Sequence, residues 1–471
     1  MHLGGLKSFL SAFHRSRRGN VTMILVLSLP LVLGAVGAAI DFSGRLSANQ
    51  QLQDAVDAAS VGSISTGSAA FAVASTMQSD GPIPIGVTNA TNIFTKNASG
   101  IPGVTNLASS ATVVKSSGLV KSVVTASATY PTTFMGLFGL STMHLSATSA
   151  STNGMPPYLD FYLLLDVSGS MGVPSTVDGE NVLATINPDD RNPQYPTGCT
   201  LACHESGSQG YTLTRTYGES SPGVAVRGPA AVSYCPNPGT TACIQLRLDA
   251  VGFAVQSLIQ TASNTQKYVN QFRIGLYPFI RYAYEFYPLT YVSNTTGLNA
   301  AAANLPTLLD TGVNANLGSG GTHFENALPW VGSKITSTTG YGIGTGASVT
   351  NRQPWIFFVT DGSQDNQTYW AGSWSGSNHA TTLDPSLCAS LKGQGIRIAV
   401  LYIPYQPIPN PNASFANNED GYANANIAAI PAPLKTCASS GFFFTANAPS
   451  DITSAMNTMF NQAVATDHLT Q

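Results

Sequence analysis

Asp166-Val167-Ser168-Gly169-Ser170 sets one carboxylate and two hydroxyls at the end of the apolar run Phe161-Tyr162-Leu163-Leu164-Leu165. A buried strand that ends this way, on a glycine-containing turn, directs hard oxygen atoms toward one point. Mg²⁺ takes such donors in octahedral coordination and keeps some of its water. D-x-S-x-S alone is a weak signal, because Ser, Gly and Asp are common turn formers. Two later segments strengthen it. Gly320-Gly321-Thr322 is a glycine turn that delivers a third hydroxyl, and Trp355-Ile356-Phe357-Phe358-Val359-Thr360-Asp361-Gly362 is a second apolar strand ending in a carboxylate. The candidate ligand set is therefore Asp166, Ser168, Ser170, Thr322 and Asp361, and the ion Mg²⁺ (or Mn²⁺/Ca²⁺).

In this order the three segments resemble the metal-ion-dependent adhesion site of von Willebrand factor A (vWA) domains. The resemblance implies that Ser168, Ser170 and Thr322 bind the metal directly. It also implies that Asp166 and Asp361 act mainly through metal-bound water, and that an acidic side chain of a protein partner completes the shell. Three unrelated Ser/Gly/Asp loops are the plain alternative, and ordered matches at strand ends rarely arise by chance.

The elements that must position these residues follow from periodicity. From Pro157 onward the first strand runs to Asp166. Leu246 to Thr261 carries Leu248, Val251, Val255, Leu258 and Ile259 on one helical side. Further strands are expected at Phe272–Phe279, Pro354–Thr360, Ile396–Tyr402 and Gly441–Phe444, with an edge near Ala283–Tyr287. Further helices are expected at Phe324–Ile335, Pro385–Gly393 and Ala448–Val464. Alternating strands and helices predict an α/β fold with a doubly wound, mostly parallel sheet (vWA, Rossmann-like) over 157–471. Ligands bind such sheets beyond the carboxyl ends of the strands, where Asp166, Thr322 and Asp361 would lie. An insertion over 172–242 separates the first metal loop from the first helix, and loops of this length are usually functional or stapled. His323 is read as a packing or rim residue, and Asp365 as an extra charge, a helix cap or a solvated side chain.

At the other end, residues 1–20 are basic, with Lys7, Arg15, Arg17 and Arg18, and 21–40 is a run of 20 residues without a charge. That length spans a bilayer as a helix. The preceding positive charges keep the N-terminus in the cytoplasm and the bulk of the chain periplasmic, single-pass in the inner membrane. A cleaved signal peptide, cut near Gly37-Ala38-Ala39, is the rival reading. Leu52, Ala55, Val56 and Ala59 share one helical face, so residues 41–103 are expected as a helical stalk rich in small residues. Residues 104–152 read as a small β-rich domain, with Phe134, Met135, Leu137 and Phe138 as a buried helical plug in preference to an exposed patch for a partner.

Arg17-Arg18-Gly19-Asn20, the apolar span, Asp41-Phe42-Ser43-Gly44 and Leu52 to Ser60 resemble the TadG-like proteins of Tad/Flp pilus assembly. The resemblance implies an anchor, a small-residue middle region and a C-terminal A domain, with pilus machinery components as partners. Pilin-like relatives carry a Glu early in the apolar segment. This chain has no acidic residue between Val21 and Ile40, which favours a retained anchor over a processed pilin.

A net charge of −3, with 9% of residues charged, leaves no electrostatic case for nucleic acid. Six cysteines, Cys199, Cys203, Cys235, Cys243, Cys388 and Cys437, suggest disulfides in an exported chain. Neighbour pairing gives Cys199–Cys203, Cys235–Cys243 and Cys388–Cys437, with crossed pairing among the first four open, and Cys199, Cys203 and His204 form a rival zinc set. No phosphate loop and no Gly-x-Ser-x-Gly elbow is present, and the motif places no base beside Ser168 or Ser170, so an enzyme is not expected. The expected role is a membrane-anchored interaction protein of pilus assembly; the alternative is an exported vWA adhesin or surface sensor unrelated to pili.

Overall fold

The computed structural model describes residues 18–173, 177, 246–268, 270–310, 314–337, 343–370, 373–376, 379–407 and 420–469. The basic N-terminal arm, most of the 172–242 insertion and Cys199, Cys203, Cys235 and Cys243 lie outside the described residues. The chain divides into two compact units, Met1–Gly154 and Met155–Gln471.

The first unit is built on α1 (Arg18–Ser63), a single helix whose early part is apolar and exposed, and which is long and apolar enough to cross a membrane. Two shorter helices follow, α2 (Ala69–Thr76) and α3 (Pro84–Ala98). Then come β1 (Thr105–Ser116), β2 (Leu119–Pro131) and β3 (Thr142–Gly154), an antiparallel sheet in chain order, with Gly81–Pro82 pairing on the outer edge of β1. Alternation along β2 turns Val120, Ser122, Val124, Ala126 and Ala128 inward and leaves Val123, Thr125 and Ser127 exposed, the period of a sheet with one covered face. The cover is Ala48, Leu52, Ala55, Val56 and Ala59 of α1 with Ala90, Phe94 and Ala98 of α3, all in one core with the sheet. Small residues on α1 bring its backbone near the sheet. Where the seam turns polar, the serines pair: Ser60 with Ser149 and Ser151, each at 2.8 Å, and Ser63 with Ser122 at 2.9 Å.

Two expectations are corrected here. The segments read as a stalk (41–103) and a separate β-rich domain (104–152) form one unit, because the apolar face of the stalk helix is what covers the sheet. Phe134, Met135, Leu137 and Phe138 are not a buried plug; none of the residues in the short 3₁₀ turn Met135–Phe138 is buried. Apolarity predicted burial against protein, but the sheet face was already filled by α1 and α3.

The second unit is a mixed six-stranded sheet: β4 (Leu159–Asp166), β5 (Phe272–Phe279), β6 (Tyr287–Tyr291), β7 (Gln353–Thr360), β8 (Arg397–Tyr402) and β9 (Phe443–Thr445). Their spatial order is β9-β8-β7-β4-β5-β6, with only the β5–β6 pair antiparallel. The edge strand begins at Tyr287 rather than near Ala283, which makes a single bridge to Phe279. One face packs on α4 (Arg247–Thr265), α5 (Thr295–Asn304) and the final helix, α9 (Pro449–Leu469). The other packs on α6 (Phe324–Ser337), α7 (Pro385–Gly393) and α8 (Pro431–Cys437). Every residue of β4, β5 and β7 is buried, as continuous apolar runs require when both faces are covered. Asp384 caps α7 by accepting the Ser386 amide at 2.9 Å, ahead of Pro385 in the first turn. A disulfide, Cys388–Cys437, staples α7 to α8.

At the amino end of β4, buried Asp160 accepts Arg352 Nε at 2.6 Å and Arg273 Nε at 2.7 Å, with a second bond from the Arg273 fork. Arg352 also donates to the Gln271 and Leu159 carbonyls at 2.7 and 3.0 Å, tying three strand starts together. Asp160→Ala should therefore leave two guanidinium groups unneutralised and cost about 3–5 kcal/mol. All four tryptophans, Trp330, Trp355, Trp370 and Trp374, lie in this unit, so denaturant unfolding followed by tryptophan emission reads the loss directly.

Candidate functional site

β4 is central, and the chain leaves its carboxyl end between β5 on one side and β7 on the other. At such a switch point the connections diverge and leave a crevice beyond the strand ends. Register opposes Leu165 to Val359, so Asp166 at the end of β4 and Thr360 at the end of β7 are neighbours, with Asp361 one step on. Both carboxylates have no exposed surface.

The hydrogen bonds around them are specific. Asp166 Oδ1 accepts the Ser168 amide at 3.0 Å and the Ser168 hydroxyl at 2.6 Å, while Oδ2 accepts the Thr360 hydroxyl at 2.7 Å. Ser168 Oγ and Ser170 Oγ are 3.3 Å apart. The Ser170 hydroxyl is near enough to Asp361 to favour its ionised form, and the Ser363 amide donates to Asp361 Oδ1 at 3.4 Å. Gly362, at φ +82°, lets the chain turn sharply after Asp361; a Cβ there would lie 2.5 Å from Ile430 Cγ2. Asp166, Ser168, Ser170 and Asp361 thus form one buried polar cluster.

The loop that carries Thr322 is fastened to the same edge. Gly320 and Gly321 both take positive φ, and a Cβ on Gly321 would drive into the Asp365 and Gln367 carbonyls. Thr322 and Asp365 exchange backbone hydrogen bonds at 2.6 and 3.1 Å. The loop is fastened by Asp310, a buried residue that sequence reading missed. Its carboxylate accepts Ser319 Oγ at 2.9 Å and the Gly320 amide at 2.8 Å, and its own amide donates to the Val167 carbonyl at 2.9 Å. One residue therefore docks the Thr322 loop on the Asp166–Ser170 loop, through its carboxylate on one side and its backbone amide on the other.

Arg247 was also missed. It opens α4, has no exposed surface, and donates through Nη1 to Asp361 Oδ2 and to the Ser170 carbonyl, each at 3.3 Å. Nη2 donates to the Pro404 carbonyl at 3.3 Å, and the guanidinium lies over the Tyr405 ring. It is separated from Asp361 by 114 positions, so no local pattern marks it. His323 is buried, with Nδ1 2.7 Å from Glu325 Oε1 and Nε2 2.9 Å from the Gln367 carbonyl. Asp365 is buried rather than solvated, and its carboxylate accepts the Gln367 amide at 2.8 Å; burial pushes its pKa up to about 6.

Burial, and then the nearby charge of Asp361, pushes the Asp166 carboxyl up to about 7. Asp361 is raised by burial as well, against the opposing pull of Arg247. Two buried carboxylates share this site with a single guanidinium, so ionising both leaves uncompensated negative charge that a divalent cation would neutralise. Among the described residues, no group of three His, Cys, Asp or Glu side chains suited to a metal occurs. The donor set here is instead two carboxylates and hydroxyls, the hard-oxygen set that fits Mg²⁺ or Mn²⁺.

Residues 19–63 match the family described as putative Flp pilus-assembly TadE/G-like. No curated protein matches the chain. Among solved structures, it is similar to proximal thread matrix protein 1 from the mussel byssus with a zinc-occupied MIDAS motif. That likeness is 12% identical at a TM-score of 0.33, covering 65% of this chain and 48% of the mussel protein, so the chain spans about half of that protein's length. It is similar to the PilB minor pilin from Streptococcus sanguinis at 10% identity and a TM-score of 0.33, covering 76% and 78% of the two chains. BatB, a conserved hypothetical protein from Bacteroides thetaiotaomicron, gives 12% identity and a TM-score of 0.30 over 65% of this chain and 99% of that one. These are distant likenesses.

Two outcomes follow from the cluster. Asp310→Ala strips the acceptor from Ser319 and Gly320, and should cost about 1–3 kcal/mol for each donor left unpaired; denaturant titration of the variant checks it. An acid whose folded pKa is raised stabilises the fold below its unfolded pKa of about 3.9, and that contribution is lost as pH rises through the folded value. In a chelator the melting temperature of the second unit should therefore fall between pH 4 and pH 7, and Asp166→Asn should flatten the slope. A melting temperature that rises over that window would show that the paired carboxylates are already neutralised.

Proposed function

We propose that this chain is a membrane-anchored, extracytoplasmic interaction protein of a Tad/Flp pilus-assembly system, and that its second unit is a vWA-like domain with a metal-ion-dependent adhesion site. The observation that carries the reading is the meeting of Asp166, Ser168, Ser170 and Asp361 at the switch point of the sheet. The pilus context is supported by the family match over residues 19–63.

In this reading α1 is the anchor from 21 to 40, single-pass in the inner membrane. The basic residues Lys7, Arg15, Arg17 and Arg18 lie on the cytoplasmic side and the rest of the chain is periplasmic. The A domain occupies 157–471. Ser168, Ser170 and Thr322 would hold the metal directly, and Asp166 and Asp361 would act mainly through metal-bound water. When bound, the ion would supply a Lewis-acid position for an Asp or Glu side chain of a partner in the pilus machinery. The protein's own residues do the rest. Asp310 keeps the Thr322 loop on the Asp166 loop, and Arg247 fixes Asp361 and the Ser170 carbonyl. In this reading the role is non-enzymatic, and both carboxylates serve to order the loops.

Calorimetric titration of Mg²⁺, Mn²⁺ and Ca²⁺ into the full chain in detergent, beside Asp361→Ala, tests the site. Saturable binding by the native chain, weakened more than about tenfold in the variant, is expected. Equal binding by both proteins would remove the adhesion site from the account.

A further inference from the structure

The connection between β2 and β3, Pro131-Thr132-Thr133-Phe134-Met135-Gly136-Leu137-Phe138-Gly139-Leu140, has no charge and presents its apolar side chains outward. Leu137 is 82% exposed and Phe138 71% exposed, with Phe134 and Leu140 also open. Large apolar side chains grouped at a loop tip are unfavourable in water, and such patches mark contact with something apolar.

What they contact is indicated by where the loop lies. It runs along one face of α1, in order. Tyr130 meets Gly44; Thr133, Phe134 and Met135 meet Asp41; Phe134 meets Gly37; and Phe138 meets Gly34. A Cβ at Gly37 would lie 2.5 Å from Phe134 Cβ, and one at Gly34 would lie 3.0 Å from the Phe138 ring. Positions 34, 37, 41 and 44 alternate in steps of three and four, so they form one helix face, which continues into Ala48, Leu52 and Ala55. Asp41 is the first charge after the apolar run, and it is buried under the loop. Its carboxylate accepts the amides of Thr133, Phe134 and Met135 at 2.9, 2.8 and 2.7 Å.

Depth follows from helix geometry. Gly34 lies seven residues before Asp41, which is about 10 Å along the axis toward the middle of the apolar run. With residues 21–40 filling a hydrocarbon layer roughly 30 Å thick, Asp41 stands at its outer boundary and Phe138 lies inside it. The loop backbone is prepared for that setting. Besides the three amides taken by Asp41, Thr132 donates to the Ser141 carbonyl, Leu137 to Phe134, Gly139 to Gly136 and Leu140 to Met135. The Thr132 hydroxyl bonds the Leu140 carbonyl. Backbone groups satisfied within the protein are what immersion in lipid demands.

We propose that residues 134–140 form a membrane-inserted wedge, seated in the outer leaflet against the anchor helix, with phospholipid acyl chains covering Leu137, Phe138 and Leu140. The wedge gives the first unit a second point of attachment, so that its sheet is held at a set height and rotation on the bilayer. The inference rests on the anchor reading of residues 21–40, with whose exposed apolar surface the loop is continuous.

The test uses the full chain reconstituted in phosphatidylcholine–phosphatidylglycerol vesicles whose acyl chains carry bromine, a short-range quencher of indole emission. Leu137→Trp and Leu33→Trp are compared after subtraction of the native protein's emission. Position 137 is almost fully exposed, so the indole is accommodated without repacking. Expected is a blue-shifted emission from position 137, with a loss of intensity on bromination comparable to that at position 33. Quenching at 33 with red-shifted, unquenched emission at 137 would place the loop in water and overturn the wedge. Quenching at 33 with blue, unquenched emission at 137 would mean that a second copy or another protein covers the loop, and would overturn it equally. Absence of quenching at both positions would remove the anchor reading, and the wedge with it.

Discussion

Charge without water is the constraint around which the second unit is organised. Asp166 and Asp361 end adjacent parallel strands with no exposed surface, and each must be compensated by neighbours. Ser168 and Thr360 supply hydroxyl donors to one carboxylate; Arg247 and Ser170 supply a cation and a hydroxyl to the other. These bonds order the loops at the switch point before any ligand arrives. A divalent ion at the switch point would let both carboxylates ionise there. At the opposite end of the same strand, Asp160 is compensated by two arginines, so β4 is pinned by buried charge at both ends.

The first unit solves a different problem with few charges. A long helix leaves an apolar environment and must then cover a sheet. It does so with one seam, small or glycine where another backbone or ring presses close, and serine where polar groups meet across the interface. Asp41 is the exception in that seam. Its position at the end of the apolar run and its three amide bonds make it the joint between helix and loop.

Much of the second unit was legible in its residues. β4 and β7 read as buried strands because both faces of a central parallel strand are covered, which forces an uninterrupted apolar run. The D-x-S-x-S, G-G-T and T-D-G turns were legible because glycine marks left-handed backbone and Asp, Ser and Thr mark oxygens at strand ends. Arg247 and Asp310 were not legible. Each acts on groups far away in the chain, and a buried arginine or aspartate looks like a surface one until its partners are known. The exposed Leu137 and Phe138 were misread for a related reason: apolarity reports a preference for leaving water, and does not say whether protein or lipid receives the side chain.

By itself the sequence determined the order of strands and helices, the apolar run of α1, and the residue types gathered at three turns, because periodicity, chain stiffness and turn chemistry are local. Only the tertiary structure decided which strand ends are neighbours, and that the stalk helix and the β-strands share a core. It also decided that Asp310 and Arg247 lock the loops at the strand ends and that the Phe134–Leu140 loop lies along α1. Those are long-range pairings, chosen by which surfaces bury each other with their hydrogen bonds satisfied, and no local pattern encodes that choice.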